Sequence, residues 1–183
     1  MRNVLIILLL LGALVASGQN VLYTKTGHIW FFSSTPIEDI EAHNKTVMAA
    51  FDSKNNVLEF KVKMTDFIFE KALMQEHFNE NYVESHKYPH ATFKGKIDNF
   101  SELNLETMNT FEAKVSGVLK IHGVERNVSA KGTLKKNSDV ISMNSKFQVK
   151  PADYNIKIPK IVVKNIAEVV DVYVDMSIRP LKK

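Results

Sequence analysis

The sequence has no cysteine among its 183 residues. This absence excludes disulfides, thiolate nucleophiles, lipid attachment to a cysteine and metal sites built from sulfur ligands. A chain without disulfides depends on its apolar core for stability. The sequence therefore predicts a substantial core.

Long apolar runs are also scarce, and the clearest one lies at the N-terminus. Arg2 precedes an apolar run over residues 4–11, and small residues follow at 16–18. The run is shorter than the roughly 20 residues that a membrane helix needs, and its order is typical of a secretory signal. We therefore predict a signal peptide over residues 1–18, one domain over 19–183, no transmembrane segment after signal removal, and a periplasmic or secreted location.

The common signatures of catalysis and of nucleic-acid binding are missing as well. The sequence has no glycine-rich phosphate loop, nucleophile elbow or HExxH pair, and its six histidines are scattered. The net charge of +4 is small and dispersed, whereas nucleic-acid binders usually cluster basic residues on one face. These absences predict a protein that is not an enzyme, does not bind nucleic acid, and needs no cofactor or metal.

Alternation of apolar and polar residues is the dominant pattern that is present. An apolar residue at every second position is typical of a strand with one buried and one solvated face. Gly27 is expected to bend the first strand, and His122-Gly123 is expected to form a tight turn. We predict about eight strands, over residues 21–34, 41–52, 57–65, 91–97, 111–121, 128–134, 141–149 and 166–178. Their short links favour an all-β sandwich or a closed antiparallel barrel.

One segment changes to a helical period. From Glu70 onwards, apolar side chains recur at helical spacing, and the helix should end before Tyr88-Pro89 because the residue before a proline avoids the α region. The residues expected on its apolar side are Leu73, Met74, His77, Phe78 and Tyr82. A shorter helical turn is predicted over residues 36–40.

The inward faces of the strands carry many phenylalanine and methionine side chains. An eight-stranded barrel either fills its interior with side chains or holds one small ligand, and methionine also fills gaps in ordinary cores. Composition alone therefore leaves two alternatives open, a packed core and a ligand cavity.

Three segments together resemble the YceI-like family of exported, lipocalin-like, lipid-binding barrels. The first is His77-Phe78 followed by Tyr88-Pro89, Ala91, Phe93 and Gly95. The second is the hairpin over residues 115–124, and the third is FQVKPADYNI over residues 147–156. The opening segment, over residues 27–44, departs from the family pattern.

The resemblance implies an all-β fold, namely an eight-stranded antiparallel lipocalin-like β-barrel with a helix covering one end. It also implies that the barrel binds a polyisoprenoid, an isoprenoid quinone or a fatty-acid-like lipid, and a homodimer is a further expectation. The residues expected to line the apolar tunnel are Phe60, Val62, Met64, Phe69, Met74, His77, Phe78, Phe93, Phe111, Val115, Leu119, Met143, Phe147, Val172 and Met176.

Two polar residues leave alternatives. His77, on the apolar side of the helix, either satisfies a backbone group or meets the polar end of a ligand. An alternative function is therefore a periplasmic enzyme or stress-response accessory that uses this histidine on an apolar substrate. Glu168 falls on the apolar face of the predicted last strand, which places it near the rim or in an internal pair.

Overall fold

A computed structural model describes residues 20–159, 162 and 164–180. The predicted signal peptide over residues 1–18 lies outside the described residues. Within the described part of the chain, no helix is both long enough and apolar enough to cross a membrane.

Nine strands form one antiparallel sheet, and eight of them close into a barrel. The strands are β1 (Val21–Ser34), β2 (Asp39–Asp52), β3 (Val57–Lys63), β4 (Ile68–Phe69), β5 (His90–Ile97), β6 (Thr110–Ile121), β7 (Val124–Asn137), β8 (Val140–Val149) and β9 (Val170–Pro180). The order around the barrel is β1-β9-β8-β7-β6-β5-β3-β2, and pairing of β1 with β2 closes the ring. β4 adds only two residues to the edge of β2. The predicted eight-stranded antiparallel barrel is confirmed.

The bend in β1 lies where the sequence predicts it. The pairing register between β1 and β2 shifts on both sides of Gly27. A Cβ atom at Gly27 would lie 2.9 Å from the Met176 sulfur and 3.2 Å from the Val47 carbonyl oxygen. Glycine therefore lets Met176 reach the bend from β9, and Met176 is only 1% exposed there.

The β6–β7 hairpin also matches its prediction. His122 and Gly123 both have positive φ angles, 50° and 76°, which suit a two-residue turn between twisted strands. The hairpin pairs without a register shift from Ile121↔Val124 to Thr110↔Lys135.

The end of the barrel opposite the helix is closed by an apolar segment. Residues 99–110, which look polar in the sequence, bring Phe100, Leu103, Leu105 and Met108 against the core. Phe100 meets Phe51 edge-on, with ring centroids 6.1 Å apart. We call the half of the barrel at this end the lower half and the half next to the helix the upper half. The segment over residues 99–110 and the buried core side chains fill the lower half.

Two sequence-based expectations of local structure are wrong, and one of the two alternatives for Glu168, the internal pair, is excluded. Residues 36–40 form bends and the start of β2 rather than a helical turn, because Thr35 organises the link by hydrogen bonds to the backbone of Ile37 and Glu38. The last strand begins at Val170 rather than at residue 166. Glu168 consequently lies outside the strand, in an exposed bend.

Candidate ligand-binding cavity

An apolar cavity of about 310 Å³ lies in the upper half of the barrel, under the helical segment. Its volume is near the lower end of the range typical of small-molecule sites. Its walls come from strands β1, β2, β3, β4, β5, β6, β8 and β9 and from the chain between β8 and β9. The lining residues are Ile29, Phe31, Ser33, Glu38, Ile40, Val62, Met64, Phe67, Phe69, Met74, His77, Phe78, Tyr82, Val83, Ala91, Leu119, Ile121, Phe147, Val149, Pro151, Ile156, Ile158, Val162, Asn165, Ile166, Val170 and Val172.

The roof of the cavity is a short helix that changes character midway. It begins as an α-helix, α1 (Ala72–His77), and continues as a π-helical turn over Phe78–Tyr82. No residue in either part is fully buried. The sequence predicts one amphipathic helix from Glu70, but Leu73 is 61% exposed, so its place on the apolar side is wrong.

Four phenylalanines pack together between the roof and the barrel wall. The Phe78 ring lies 5.0 Å from Phe69, 5.6 Å from Phe67 and 5.7 Å from Phe31, measured between centroids. The pair with Phe31 is stacked, the pair with Phe69 is tilted and the pair with Phe67 is edge-on, and aromatic pairs stabilise by about 0.5–1.5 kcal/mol beyond their burial. Phe78 thus joins the roof to β1, to β4 and to the turn that precedes β4.

A polar clasp, made by Glu38, Lys71 and Asn165, joins three segments at the rim of the cavity. One Glu38 carboxylate oxygen accepts a hydrogen bond from the Lys71 ammonium group at 2.8 Å, and the other accepts one from the Asn165 amide at 3.2 Å. Lys71 immediately precedes α1. The hydrogen bond from Lys71, followed by that from Asn165, lowers the pKa of Glu38 below its ordinary value.

A second polar contact lies beside this clasp. The backbone N–H of Ala167 donates a hydrogen bond to the Ser33 hydroxyl at 2.8 Å. Ser33 is only 2% exposed. The two contacts hold the chain before β9 against the end of β1 and form one rim of the cavity.

The predicted tunnel residues divide between the two halves of the barrel. Nine line the cavity: Val62, Met64, Phe69, Met74, His77, Phe78, Leu119, Phe147 and Val172. Six lie outside its lining, namely Phe60, Phe93, Phe111, Val115, Met143 and Met176. Alternation predicts which side chains of a strand point into the barrel. The height of each side chain along the barrel axis, however, depends on the pairing register between strands, which alternation does not predict.

Phe93 shows how an inward phenylalanine is used outside the cavity. Its ring lies 5.9 Å from Phe60 and covers the paired glycines Gly95 and Gly117. A Cβ atom on either glycine would lie within 2.8 Å of the Phe93 ring. The two glycines thus provide the space that this ring occupies.

His77 lines the cavity edge but is exposed. Within the described residues, no group of three or more histidine, aspartate or glutamate side chains is placed to hold a metal. The polar side chains of the lining are concentrated at the rim, where Glu38, His77 and Asn165 are found. The deeper lining is apolar and suits a hydrocarbon.

Sequence reasoning missed several lining residues. Ile29 and Phe31 alternate on β1, so the sequence signal for an inward face was present there. Phe67 and Val83 flank the helical segment, and Ile156 lies in an irregular stretch. These three positions have no periodicity that could have identified them.

Comparison with known proteins shows which fold family shares this architecture. A family model described as the YceI-like domain matches residues 23–178. The chain belongs to the YceI-like family. The match spans every barrel strand almost completely, so the YceI-like domain and the barrel are the same unit.

Solved structures share the YceI-like fold at low sequence identity. A polyisoprenoid-binding domain from Saccharophagus degradans, described as implicated in plant cell wall breakdown, has a TM-score of 0.77 and 14% identity, covering 89% of this chain and 99% of that one. Burkholderia cenocepacia BcnA has a TM-score of 0.67 and 16% identity, covering 83% and 95%. A Campylobacter jejuni YceI protein has a TM-score of 0.58 and 18% identity, covering 78% and 85%. The search of curated proteins found no match.

Proposed function

We propose that this protein binds a hydrophobic chain in the cavity beneath α1 and sequesters or transports it without changing it chemically. A polyisoprenoid, an isoprenoid quinone or a fatty-acid-like lipid has the required chemistry. The observation that carries the proposal is the apolar cavity of about 310 Å³, whose polar groups are concentrated at its rim. The polyisoprenoid-binding domain with the same fold supports this ligand class.

Burial of hydrocarbon supplies the affinity in this proposal. Each methylene moved from water into the cavity contributes about 0.8 kcal/mol. Roughly ten buried methylenes would contribute about 8 kcal/mol, which corresponds to a dissociation constant near the micromolar range before ordering costs. A charged anchor is therefore not required for binding.

Extraction of the purified protein tests the proposal directly. Organic extracts analysed by mass spectrometry should contain one long-chain lipid or quinone in near-stoichiometric amount. The extracted protein should then bind a fluorescent fatty acid and be displaced by the identified lipid. Empty extracts together with no binding of any chain would overturn the proposal.

A cavity-filling substitution localises the site. Ala91 lines the cavity and is 8% exposed, whereas its neighbour Thr92 points outwards on the same strand. Ala91→Phe should weaken chain binding at least tenfold because the added ring occupies the space of the ligand. Thr92→Phe is the matched control and should bind like the wild type. Equal binding by both variants would place the ligand elsewhere.

We also propose that the protein is exported. The basic start, the apolar run and the small residues before Gln19 support this proposal. Expression in a Gram-negative host, followed by fractionation and N-terminal sequencing, should find the protein outside the cytoplasm with Gln19 first. Full-length protein confined to the cytoplasm would contradict the proposal.

A further inference from the structure

The cavity ends partway down the barrel. The lowest side chains that line it on strands β1, β3, β5 and β6 are Ile29, Val62, Ala91 and Leu119. One inward position lower on each of these strands, the residue lies outside the lining; these four residues are Gly27, Phe60, Phe93 and Gly117. Within the described residues, the cavity therefore occupies only the upper half of the barrel.

The spacing of residues along a strand gives the depth of the cavity. β1 lines the cavity with the inward side chains of Ile29, Phe31 and Ser33. The four residue steps from the first to the last of these cover about 13 Å along the strand. An extended chain advances about 1.2 Å per bond, so a straight hydrocarbon of about ten or eleven carbons spans this depth.

The volume of the cavity gives a similar length independently. A dry cavity of roughly 150 Å³, lined by aliphatic and aromatic side chains, holds one benzene ring. The cavity of this protein has about twice that volume, 310 Å³. It therefore has room for about two such rings, or roughly twelve carbons.

Side chains from both sides of the barrel form the floor of the cavity. On one side, Met176 occupies the position below Ile29, since a Cβ atom on Gly27 would lie 2.9 Å from the Met176 sulfur. On the other side, Phe60 and Phe93 face each other from paired strands, with ring centroids 5.9 Å apart. A hydrocarbon that entered further would have to displace these side chains.

We propose that the cavity selects its ligand by chain length: it encloses about ten to twelve carbons of an acyl or isoprenoid chain, and Phe93 at its floor stops longer chains from entering further. This inference rests on the proposed function and narrows its ligand class to chains of medium length. The polar side chains of the lining are concentrated at the rim, so the polar end of the ligand stays there and its methyl end meets the floor. Carbons beyond this length remain outside the cavity and add no burial.

Phe93 is the floor residue whose removal would lengthen the site. It lies directly below Ala91 among the inward residues of β5, and its ring covers Gly95 and Gly117. These two glycines have no side chain that could fill the space of the ring. Loss of the ring would therefore extend the cavity downwards from Ala91 to the glycine pair.

A series of chain lengths tests the limit. Saturated fatty acids of about six to eighteen carbons, below the concentrations at which they form micelles, compete with a fluorescent fatty acid for the protein. Affinity should rise about fourfold with each added methylene, because each one is buried, and should level off near twelve carbons. A rise that continues to the longest chain would overturn the length limit and leave the proposed function in place. Displacement by none of the chains would overturn both.

Substitution of Phe93 tests the floor in the same assay. Phe93→Ala should move the levelling-off point to chains longer by several carbons, and Phe93→Leu should move it less and serves if the alanine variant does not fold. Phe100→Ala is the matched control, because it removes a ring that packs on Phe51 at the lower end of the barrel, and it should keep the wild-type limit. An unchanged limit in both Phe93 variants, or an equal shift in Phe100→Ala, would contradict the assignment of the floor to Phe93.

Discussion

At the scale of single residues, His122 connects three segments near the cavity. Its Nδ1 lies 3.1 Å from the Tyr154 carbonyl oxygen, and its Nε2 lies 2.9 Å from a Glu84 carboxylate oxygen. The Tyr88 ring meets it at 4.4 Å between centroids. Hydrogen bonds from Lys87 first, and from His122 second, lower the pKa of Glu84. The His122 imidazole therefore links the turn of the β6–β7 hairpin to two other segments, the one that contains Glu84 and the one that contains Tyr154.

We expect His122→Asn to destabilise the protein by about 1 kcal/mol, the usual net contribution of an intramolecular hydrogen bond such as the one to the Tyr154 carbonyl oxygen. Asparagine tolerates the left-handed backbone at this position, but its side chain is too short to bridge Glu84 and Tyr154. Urea unfolding measures the loss. His86→Asn, at an exposed histidine, is the control, and an equal midpoint for both variants would contradict the expectation.

His28 lies on the outer wall of the barrel, in a stack with Trp30 and His43. Its Nε2 lies 3.0 Å from His43 Nδ1, and its ring is 4.6 Å from that of Trp30. Burial lowers the pKa of His28 below 6.5, and the charges of His43 and Lys45 lower it further. The charges of Asp175 and Glu41 raise this pKa, but by less. The folded state therefore favours the neutral imidazole.

This shift predicts a pH dependence of stability. The pKa of His28 is lower in the folded state than in the unfolded chain. The stability that the neutral imidazole contributes is therefore fully present above pH 6.5, and it is lost as the pH falls through the pKa of the folded state. The free energy of unfolding should therefore decline from pH 7 to pH 5. His28→Gln should flatten the decline in urea titrations at several pH values, and His86→Gln should not. An identical slope in His28→Gln would contradict the assignment.

At the scale of elements, the roof over the cavity depends on tertiary contacts. α1 has six residues, and isolated helices shorter than about 12–15 residues are marginal in water. Packing of Phe78 against the barrel and the Glu38 clasp at the start of α1 hold it in place. A roof held by few contacts is suited to local opening.

We expect Glu38→Gln to speed release of a bound chain several-fold. The substitution removes the charge that holds Lys71 and weakens the contact with Asn165. Stopped-flow displacement of a fluorescent fatty acid measures the release rate. Glu59→Gln is matched to it, because Glu59 pairs with Lys94 at 2.7 Å on the barrel exterior. Equal rates for the two variants would show that the clasp does not limit release.

At the scale of the whole molecule, the three largest fully buried side chains among the described residues lie in the lower half of the barrel. Phe51, Met176 and Ile178 are at most 2% exposed there, and Phe100 of the segment over residues 99–110 packs on Phe51. The upper half contains the cavity. The largest buried side chains and the proposed ligand site therefore lie at different ends of one barrel.

Ligand binding should raise the stability of the whole molecule. A chain present at one hundred times its dissociation constant should add about 2.7 kcal/mol. Thermal unfolding of lipid-free protein, with and without added fatty acid, should show the corresponding rise in melting temperature. Thr92→Phe should keep the rise and Ala91→Phe should lose it. A rise retained by Ala91→Phe would mean that binding lies outside the cavity.

Individual residues show how far the sequence could predict this structure. The bend at Gly27 and the turn at His122-Gly123 could be predicted from the sequence, because a bend and a two-residue turn place strict local demands on the backbone. Leu73 was misplaced, since the helix is too short to bury a continuous face. Residue 166 was misplaced as a strand start because its apolar neighbours line a cavity from an irregular segment.

Alternation by itself determined that this chain forms strands with one apolar face, because the two-residue period of a strand is local, and the short links between the strands favoured an antiparallel arrangement. The tertiary structure decided which inward residues surround a cavity and which fill the core, since that depends on register and axial height. It also decided that β7 pairs with β8 only from Gly132 onwards. No local pattern marks this departure, because pairing is a property of two strands.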